Sequence, residues 1–314
     1  MNRFSPARTP ATSTSSAASQ AKPRTVVLVT GASSGIGRAT AVHLADHGAQ
    51  LVLTGRSTVT LEIVADRCRR RGADVTVVEA DVRDMAAVEA LVTAVVEQHS
   101  RLDVCVHAAA LVAYGRFEDV PSDVFDRVVE TDVLGTANVA RAVLRTFRRQ
   151  RTGNLIVLGS ILGRIATPYM SAYVTSKAAI HALARTLSIE NRDLPDVHVC
   201  LLMPGSVDTP VYRRAASYAD RVAKAPPPVI SPDRVARAVG GLVERPRART
   251  DLGPANKLMA LGFTALPPMY DLLVTPLMRL VALGRPLVPH PGNVFEPTRA
   301  GDIDGETYVG SPPR

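Results

Sequence analysis

Residues 25–47 read TVVLVTGASSGIGRATAVHLADH. The run TVVLVT at 25–30 contains only β-branched and apolar residues, which is typical of a strand buried in a parallel sheet. Glycines and then a helical pattern follow it. A strand, a glycine turn and a helix in this order predict a phosphate-binding loop, because the helix N-terminus offers unpaired N–H groups and a partial positive charge. The predicted phosphate-binding residues are Gly31, Ser33, Ser34, Gly35, Ile36 and Gly37.

The alternation of strand and helix continues to about residue 205. Helical patterns separate the later strands, and the two longest lie at 122–149 and 171–191. Strands that alternate with helices of this length form βαβ units and a parallel sheet covered on both faces. The sequence therefore predicts an α/β fold, a doubly wound parallel sheet of Rossmann type, with ligand bound outside the carboxyl ends of the strands. The further predicted strands are 49–55, 73–80, 101–108, 153–159 and 197–205.

A single domain, residues 24–253, accommodates this pattern. Its last elements are a predicted helix at 231–243 and a strand at 247–253. Residues 1–23 are rich in Ser, Thr, Ala and Pro and lack the apolar stretch of a secretory signal, so they are predicted to form a disordered tail. Residues 254–314 are predicted to form a C-terminal extension and tail, which is loose from Arg285 onward because Pro and Gly dominate there.

Within this extension, residues 258–283 form an apolar but interrupted stretch. Three prolines, Asp271 and Arg279 break it, so no uninterrupted run of about 18 residues could span a membrane. Two interpretations stay open: a surface helix pair that lies on a membrane, or a pair that covers the substrate pocket. The stretch thus allows peripheral membrane contact and an apolar substrate.

The amino-acid composition indicates which kinds of binding partner, cellular location and metal site to expect. Aromatic residues make up 4% of the chain and Trp is absent, so stacking platforms for bases are few and nucleic acid is not an expected partner. The formal charge of +8 comes largely from Arg residues spread along predicted helix faces, as on solvated surfaces. Cys68, Cys105 and Cys200 form no disulfide pattern, which suits a cytoplasmic location. His43 and His47 share a helix face without a third ligand, so no metal site is predicted.

The second strand ends in Leu53-Thr54-Gly55-Arg56-Ser57. Sheets that bind NAD commonly place an acidic residue at this junction, where it accepts a hydrogen bond from the ribose 2′-hydroxyl. This chain has Arg56 instead, and a guanidinium pairs with a 2′-phosphate through two hydrogen bonds. Arg38, on the first helix, is predicted to add to the same site. NADP(H) is therefore the predicted cofactor.

Tyr173 and Lys177 lie four residues apart on a predicted helix and so share one face. A phenol is a poor base at neutral pH, and an ammonium beside it favours the phenolate and lowers its pKa. Ser160 follows the strand at 153–159 and is placed to donate a hydrogen bond to a substrate oxygen. These three residues predict acid–base chemistry at the carboxyl edge of the sheet.

Together, the glycine turn, Ser160, Tyr173-x-x-x-Lys177 and the segment Pro204-Gly205-Ser206-Val207-Asp208-Thr209-Pro210 resemble the short-chain dehydrogenase/reductase family. The resemblance extends over residues 25–210. It implies an NADP-dependent oxidoreductase that interconverts a carbonyl and an alcohol by hydride transfer, with Tyr173 passing the proton. It also implies a homodimer or homotetramer built through the two long helices.

The resemblance assigns further roles within this chain. Ser160 holds the carbonyl, and Lys177 also binds the nicotinamide ribose together with Tyr173. Asp81 and Val82 contact the adenine. The remaining residues implied to border the nicotinamide end of the cofactor are Ala108, Pro204, Gly205, Val207 and Thr209.

Two positions depart from the family pattern. The motif Asn-Asn-Ala-Gly after the fourth strand is His107-Ala108-Ala109-Ala110 here, and the relay Asn of the long helix aligns with Asp132. An Asn side chain both donates and accepts, whereas an ionised Asp only accepts. Asp132, counted among the catalytic positions, therefore indicates either a modified relay or weak activity. The alternative function is a catalytically weak nucleotide-binding sensor or scaffold with the same fold.

Overall fold

The computed structural model describes residues 24–297. Its centre is a seven-stranded parallel sheet in the order β3-β2-β1-β4-β5-β6-β7. The order reverses beside β1, which makes the sheet doubly wound and confirms the predicted fold class. The strands are β1 (Val26–Thr30), β2 (Gln50–Gly55), β3 (Asp74–Glu79), β4 (Val104–His107), β5 (Gly153–Leu158), β6 (Val197–Pro204) and β7 (Arg249–Leu252).

The register brings the carboxyl ends of the central strands to one edge. Thr30 at the end of β1 pairs with Thr54 of β2 on one side and with His107 of β4 on the other. In the same way, His107 lies opposite Val157 of β5. The residues that follow these strands are therefore neighbours in space, as the site prediction requires.

Helices cover both faces of the sheet, and each face has its own apolar core. The cores form because every helix turns its apolar stripe inward, as Leu44 does on one face and Phe147 on the other. Ser57, Asp84 and Ser231 cap their helices through side-chain oxygens. One face holds α1 (Gly35–Asp46), α2 (Thr58–Arg69) and α7 (Pro232–Glu244), and the other holds α3 (Met85–His99), α5 (Gly135–Gln150) and α6 (Ser171–Glu190).

The predicted long helix at 122–149 is interrupted. It consists of α4 (Ser122–Val129), a π-helical turn at Glu130–Leu134 and α5. π-helical turns are rare and often occur at functional sites. Asp132 lies within this turn, so its backbone is irregular at the position where the sequence departs from the family pattern.

Beyond β6 the chain forms small two-stranded pairs and a helical hairpin. Ala113–Gly115 pairs with Ala216–Tyr218, and Ser206–Val207 pairs with Val229–Ile230. The predicted helix pair is present as α8 (Asn256–Ala265) and α9 (Pro267–Val281). Within the described residues, no helix is long and apolar enough to cross a membrane.

The loose tail expected from Arg285 is wrong for the residues up to 297. The strand Leu283–Pro286 pairs with Arg221–Ala223, and His290 exchanges backbone hydrogen bonds with Ser217. Val294 is fully buried. These partners lie far away in the sequence, so Pro and Gly content did not reveal them. The predicted tail at 1–23 and the end of the tail, 298–314, lie outside the described residues.

Candidate functional site

A cleft opens at the carboxyl edge of the sheet, and nearly all the predicted site residues line it. Two do not: Arg38 lies on α1 away from the cleft lining, and Asp132 is buried behind the cleft wall. The predicted residues that line it are Gly31, Ser33, Ser34, Gly35, Ile36, Gly37, Arg56, Asp81, Val82, Ala108, Ser160, Tyr173, Lys177, Pro204, Gly205, Val207 and Thr209.

The glycine turn brings backbone to the cleft where side chains would collide. Gly31 has φ +63°, and a Cβ there would lie 2.6 Å from the backbone nitrogen of Ala109. A Cβ on Gly37 would clash with the carbonyl oxygen of Gly31. Ser34 is the N-cap of α1 but makes no side-chain capping bond, and the first turn of α1 contains no acid. The uncapped N–H groups and the open backbone fit a pyrophosphate.

At the adenosine end of the cleft, the Arg56 guanidinium is held by the C-terminal segment. Its Nη2 donates to the carbonyl of Asn293 (2.7 Å) and its Nη1 to that of Val294 (3.1 Å). A longer contact reaches the carbonyl of Glu296 (3.4 Å). Burial lowers the pKa of Arg56, and Asp81 opposes that shift. Residues 287–297, here called the C-terminal strap, thus form one wall of the cleft.

Asp81, implied to contact adenine, pairs with Arg83. The Asp81 carboxylate accepts from Arg83 Nη2 at 2.7 Å. Burial favours the neutral acid, but hydrogen bonds from the Arg83 side chain and backbone outweigh it and lower the pKa of Asp81. This carboxylate therefore stays ionised at neutral pH.

At the other end of the cleft, Tyr173, Ser160 and Lys177 come together. Tyr173 and Ser160 both line this end of the cleft, and the Ser160 side chain acts to lower the pKa of Tyr173. Lys177 Nζ lies 5.2 Å from the centre of the Tyr173 ring and donates to the carbonyl of Leu158 (3.1 Å). Ser160 sits at the start of a short 3₁₀ turn, where its Oγ accepts from the N–H of Leu162. The strand β5 and the helix α6 thus position the three predicted catalytic groups.

The pKa of Tyr173 differs from the sequence-based expectation. Burial raises the pKa of Tyr173, the Asp132 carboxylate raises this pKa further, and the Ser160 side chain opposes both effects. Lys177 was expected to lower this pKa, but in the protein alone desolvation outweighs any such effect.

Asp132 is a buried carboxylate next to Lys177. Its Oδ1 accepts from the N–H of Leu111 (2.7 Å), and its Oδ2 lies 3.8 Å from Lys177 Nζ. Oδ2 accepts no hydrogen bond from the part of the chain that the structure describes. Burial raises the pKa of Asp132 to about 6, while Lys177 and the N–H of Leu111 oppose the shift. The carboxylate therefore titrates near neutral pH.

His107, at the end of β4, links β1 to the first turn of α5, a role that the sequence did not predict. Its Nδ1 lies 2.8 Å from Thr30 Oγ1 and its Nε2 lies 3.0 Å from Thr136 Oγ1. Because the Thr136 hydroxyl donates to the carbonyl of Asp132, its oxygen accepts from His107 Nε2. Burial, aided by Lys177, lowers the pKa of His107 to about 3 and keeps it neutral. The only available signal was its position at the carboxyl end of β4.

Other cleft residues were also missed. Tyr212 lines the cleft, and its hydroxyl lies 3.1 Å from Ser206 Oγ. Asn293 and Pro297 line it from the C-terminal strap. Nothing local in a Pro- and Gly-rich tail indicates such a contact. In residues 24–297, no group of His, Cys, Asp and Glu side chains is arranged to hold a metal ion.

A family model described as short chain dehydrogenase matches residues 25–219. An uncharacterized oxidoreductase of Bacillus subtilis, YxnA, is 30% identical over 256 residues, which cover 81% of this chain and 72% of the relative. Oxidoreductase UcpA of Salmonella typhimurium is 37% identical over 190 residues, or 60% of this chain and 72% of its own. Among solved structures, an alcohol dehydrogenase from Thermococcus sibiricus in complex with 5-hydroxy-NADP is 32% identical with a TM-score of 0.64, covering 73% of this chain and 96% of its own.

Proposed function

The chain belongs to the short-chain dehydrogenase family, and we propose that it is an NADP(H)-dependent oxidoreductase that interconverts a carbonyl and an alcohol. The observation that carries the proposal is that Ser160, Tyr173 and the buried Lys177 line the same cleft as the uncapped N-terminus of α1, with Lys177 Nζ 5.2 Å from the centre of the Tyr173 ring. Catalytic groups and a phosphate-binding turn share one cavity.

When bound, the reduced nicotinamide supplies a hydride to the carbonyl carbon. Tyr173 donates its hydroxyl proton to the carbonyl oxygen, which Ser160 holds by a hydrogen bond. The ammonium of Lys177 stabilises the phenolate that Tyr173 becomes. In the reverse direction this phenolate accepts the alcohol proton.

NADP(H) is proposed over NAD(H) because of the junction after β2. Arg56 lies in the cleft there, and the junction contains no acid to accept a ribose hydroxyl. A guanidinium has five N–H donors, so the carbonyls of the C-terminal strap leave some of them for a phosphate. The Thermococcus sibiricus enzyme, solved with 5-hydroxy-NADP, supports the same choice.

The proposed assembly is a homodimer or homotetramer formed through the long helices α5 and α6. Two large hydrophobic side chains are exposed there, Leu134 just before α5 and Ile189 near the end of α6. Light scattering tests this proposal, and a monomer at micromolar concentration would contradict it.

The test of the proposed function is a fluorescence titration with NADPH and NADH. We expect wild type to bind NADPH, and Arg56→Ala to weaken that binding by about tenfold or more while NADH binding changes little, because only NADPH offers a charged acceptor to Arg56. Arg70→Ala, an exposed Arg at the end of α2, is the matched control and should bind like wild type.

Turnover of ketones and alcohols completes the test. NADPH binding without turnover of any compound in a broad screen would favour the sensor or scaffold alternative, for which the buried acid at Asp132 is the specific observation. Failure to bind either nucleotide would overturn the oxidoreductase proposal itself.

A further inference from the structure

The C-terminal hairpin, defined as α8 and α9 with the intervening Leu266, exposes an unusual amount of apolar surface. α9 has no buried residue. Monomeric proteins rarely expose a large contiguous apolar patch unless it binds something. Of the fifteen large hydrophobic side chains exposed in residues 24–297, eight lie in this hairpin: Leu258, Leu261, Leu266, Met269, Leu272, Leu273, Leu277 and Leu280, each 50–80% exposed.

The exposed side chains of α9 form one stripe. Met269, Leu273, Leu277 and Leu280 recur at helical spacing, so they share a face. Met278, on the opposite side of α9, packs against the protein. The helix is therefore amphipathic with its apolar face turned outward, which is the arrangement of helices that lie in a membrane interface.

The inward side of the hairpin attaches beside the catalytic end of the cleft. Tyr270 donates to the carbonyl of Ala166 (2.7 Å), and Arg279 Nε donates to the hydroxyl of Tyr169 (2.7 Å). Met278 belongs to the same apolar cluster as Met170 and Tyr173. The exposed apolar face is thus a short distance from the residue that passes the proton.

We propose that the C-terminal hairpin rests on an anionic membrane surface and admits an apolar carbonyl or alcohol compound from that surface to Tyr173. The membrane contact stands on its own, whereas the delivery of substrate rests on the proposed function. At 15 residues α9 is about 22 Å long, shorter than the apolar core of a bilayer, so it lies on the membrane rather than across it.

Charge favours a lipid surface over a second protein as the occupant. In residues 254–288, Lys257 and Arg285 are exposed cations besides Arg279, which binds Tyr169, and Asp271 is the one acid; the whole chain has a formal charge of +8. Anionic headgroups attract such cations while the acyl region takes up the leucine stripe. Two copies of this hairpin placed face to face would instead bring like charges together.

The experiment is flotation of the full chain with vesicles of phosphatidylcholine alone or mixed with phosphatidylglycerol. We expect wild type to float with the anionic vesicles, and less so at high salt because salt screens the attraction. Leu273→Asp/Leu277→Asp should reduce the partition by at least tenfold. The matched control is Val59→Asp/Phe117→Asp, which alters two similarly exposed residues outside the hairpin and should leave the partition unchanged.

Two readouts separate this proposal from the proposed function. All four positions are exposed, so the variants should keep the wild-type circular dichroism and the wild-type affinity for NADPH. With a ketone dissolved in the vesicles, Leu273→Asp/Leu277→Asp should lose kcat/KM about in proportion to its lost partition. With a small water-miscible ketone its kcat/KM should match wild type.

The membrane proposal is overturned if wild type does not float with anionic vesicles, or if the control loses as much partition as the hairpin variant. It is equally overturned if light scattering shows that Leu273→Asp/Leu277→Asp dissociates an oligomer without changing vesicle partition. The face would then be an interface between copies of this chain. If vesicles bind but NADPH does not, the membrane contact stands and only the proposed function fails.

Discussion

Within residues 24–297, the first strand and the last helix differ in how far their apolar residues are buried. Every residue of β1 is buried between the two cores, whereas α9, which is also rich in apolar side chains, buries none. The sheet domain uses its apolar residues to hold the edge on which Tyr173 and the glycine turn lie. The C-terminal extension borders that edge from outside, through Met278 at the catalytic end and through residues 293–296 at Arg56.

This difference in burial indicates that the sheet domain and the C-terminal extension have different roles. Under the two proposals, the sheet domain carries the catalytic groups and the extension governs access to the cleft. Changes in the core should therefore alter the rate of the chemical step or the stability, and changes in the extension should alter binding preferences. Each prediction below tests this division, in order of decreasing expected effect.

The largest effect is expected at Tyr173. Tyr173→Phe removes the proton donor, so kcat should fall by roughly a thousandfold while the Kd for NADPH stays near wild type. Tyr169→Phe removes only the hydroxyl that accepts from Arg279 of α9, and its kcat should stay near wild type. Steady-state kinetics with a fluorescence titration checks both. Equal losses of kcat in the two variants would contradict the proposal that the core and the extension have different roles.

Substitution of two glycines by Ala should change the free energy of unfolding in opposite directions. At Gly31, φ is +63° and an added Cβ meets backbone at 2.6 Å, so Gly31→Ala should lower the free energy of unfolding by ~3 kcal/mol and weaken NADPH binding. Gly262 lies inside α8 with nothing within 4 Å of an added Cβ, so Gly262→Ala should stabilise that helix by up to about 1 kcal/mol. Chemical denaturation and circular dichroism measure the two changes, and a destabilised Gly262→Ala would show that the hairpin packs more tightly than its exposure indicates.

A pH profile tests the buried acid of the core. Asp132 is ionised above a pKa of about 6, and its carboxylate then raises the pKa of Tyr173. Asp132→Asn removes that charge, so the pKa of Tyr173 should fall and the rising limb of alcohol oxidation, which needs the phenolate, should move to lower pH by roughly one unit.

The profile should be measured as log kcat against pH with saturating cofactor. A merely structural role for Asp132 would lower kcat at every pH without moving the limb. Movement of the limb to higher pH would contradict the electrostatic explanation, because it would mean that the carboxylate lowers the pKa of Tyr173.

The smallest effect is expected from the C-terminal strap. The carbonyls of residues 293, 294 and 296 share the Arg56 guanidinium with any incoming phosphate, so deletion of residues 288–314 should free its donors. The ratio of NADPH to NADH affinity should then rise by about three- to tenfold, the value of one or two hydrogen bonds. Because loss of this cleft wall would weaken the binding of both nucleotides, the ratio of the two affinities isolates the effect on Arg56. A fall in the ratio would mean that the strap orients Arg56 for the phosphate.

The sequence predicted most of the core because its signals are local. The strand, glycine turn and helix at 25–47 are contiguous, and β-branched runs and helical periodicity identified the other strands of the sheet. The carboxyl edge of a parallel sheet then gathers the residues that follow each strand, so Ser160, Tyr173 and the glycine turn were expected together and do line one cleft. Arg38, predicted to add to the Arg56 site, is not among the lining residues, and its role stays a prediction.

The rest depends on contacts between residues far apart in the chain. Local composition predicted a loose tail from Arg285, yet the tail is anchored by an Arg that lies 237–240 residues earlier. The π-helical turn at Asp132 and the hydrogen bonds of His107 likewise arise only once α5 is packed on the sheet.

The amino-acid sequence by itself determined the fold class, the family and the set of candidate site residues, because each follows from periodicity or from motifs within short segments. Tertiary structure alone decided the protonation of those residues and the surroundings of the cleft. Burial and neighbouring charge shift the pKa values of Asp132 and Tyr173, and burial is a property of the packed molecule. The exposure of the leucine stripe on α9 also depends on tertiary structure. The sequence shows that the leucines share one face of the helix, but only the packing of the rest of the chain decides whether that face is buried or exposed.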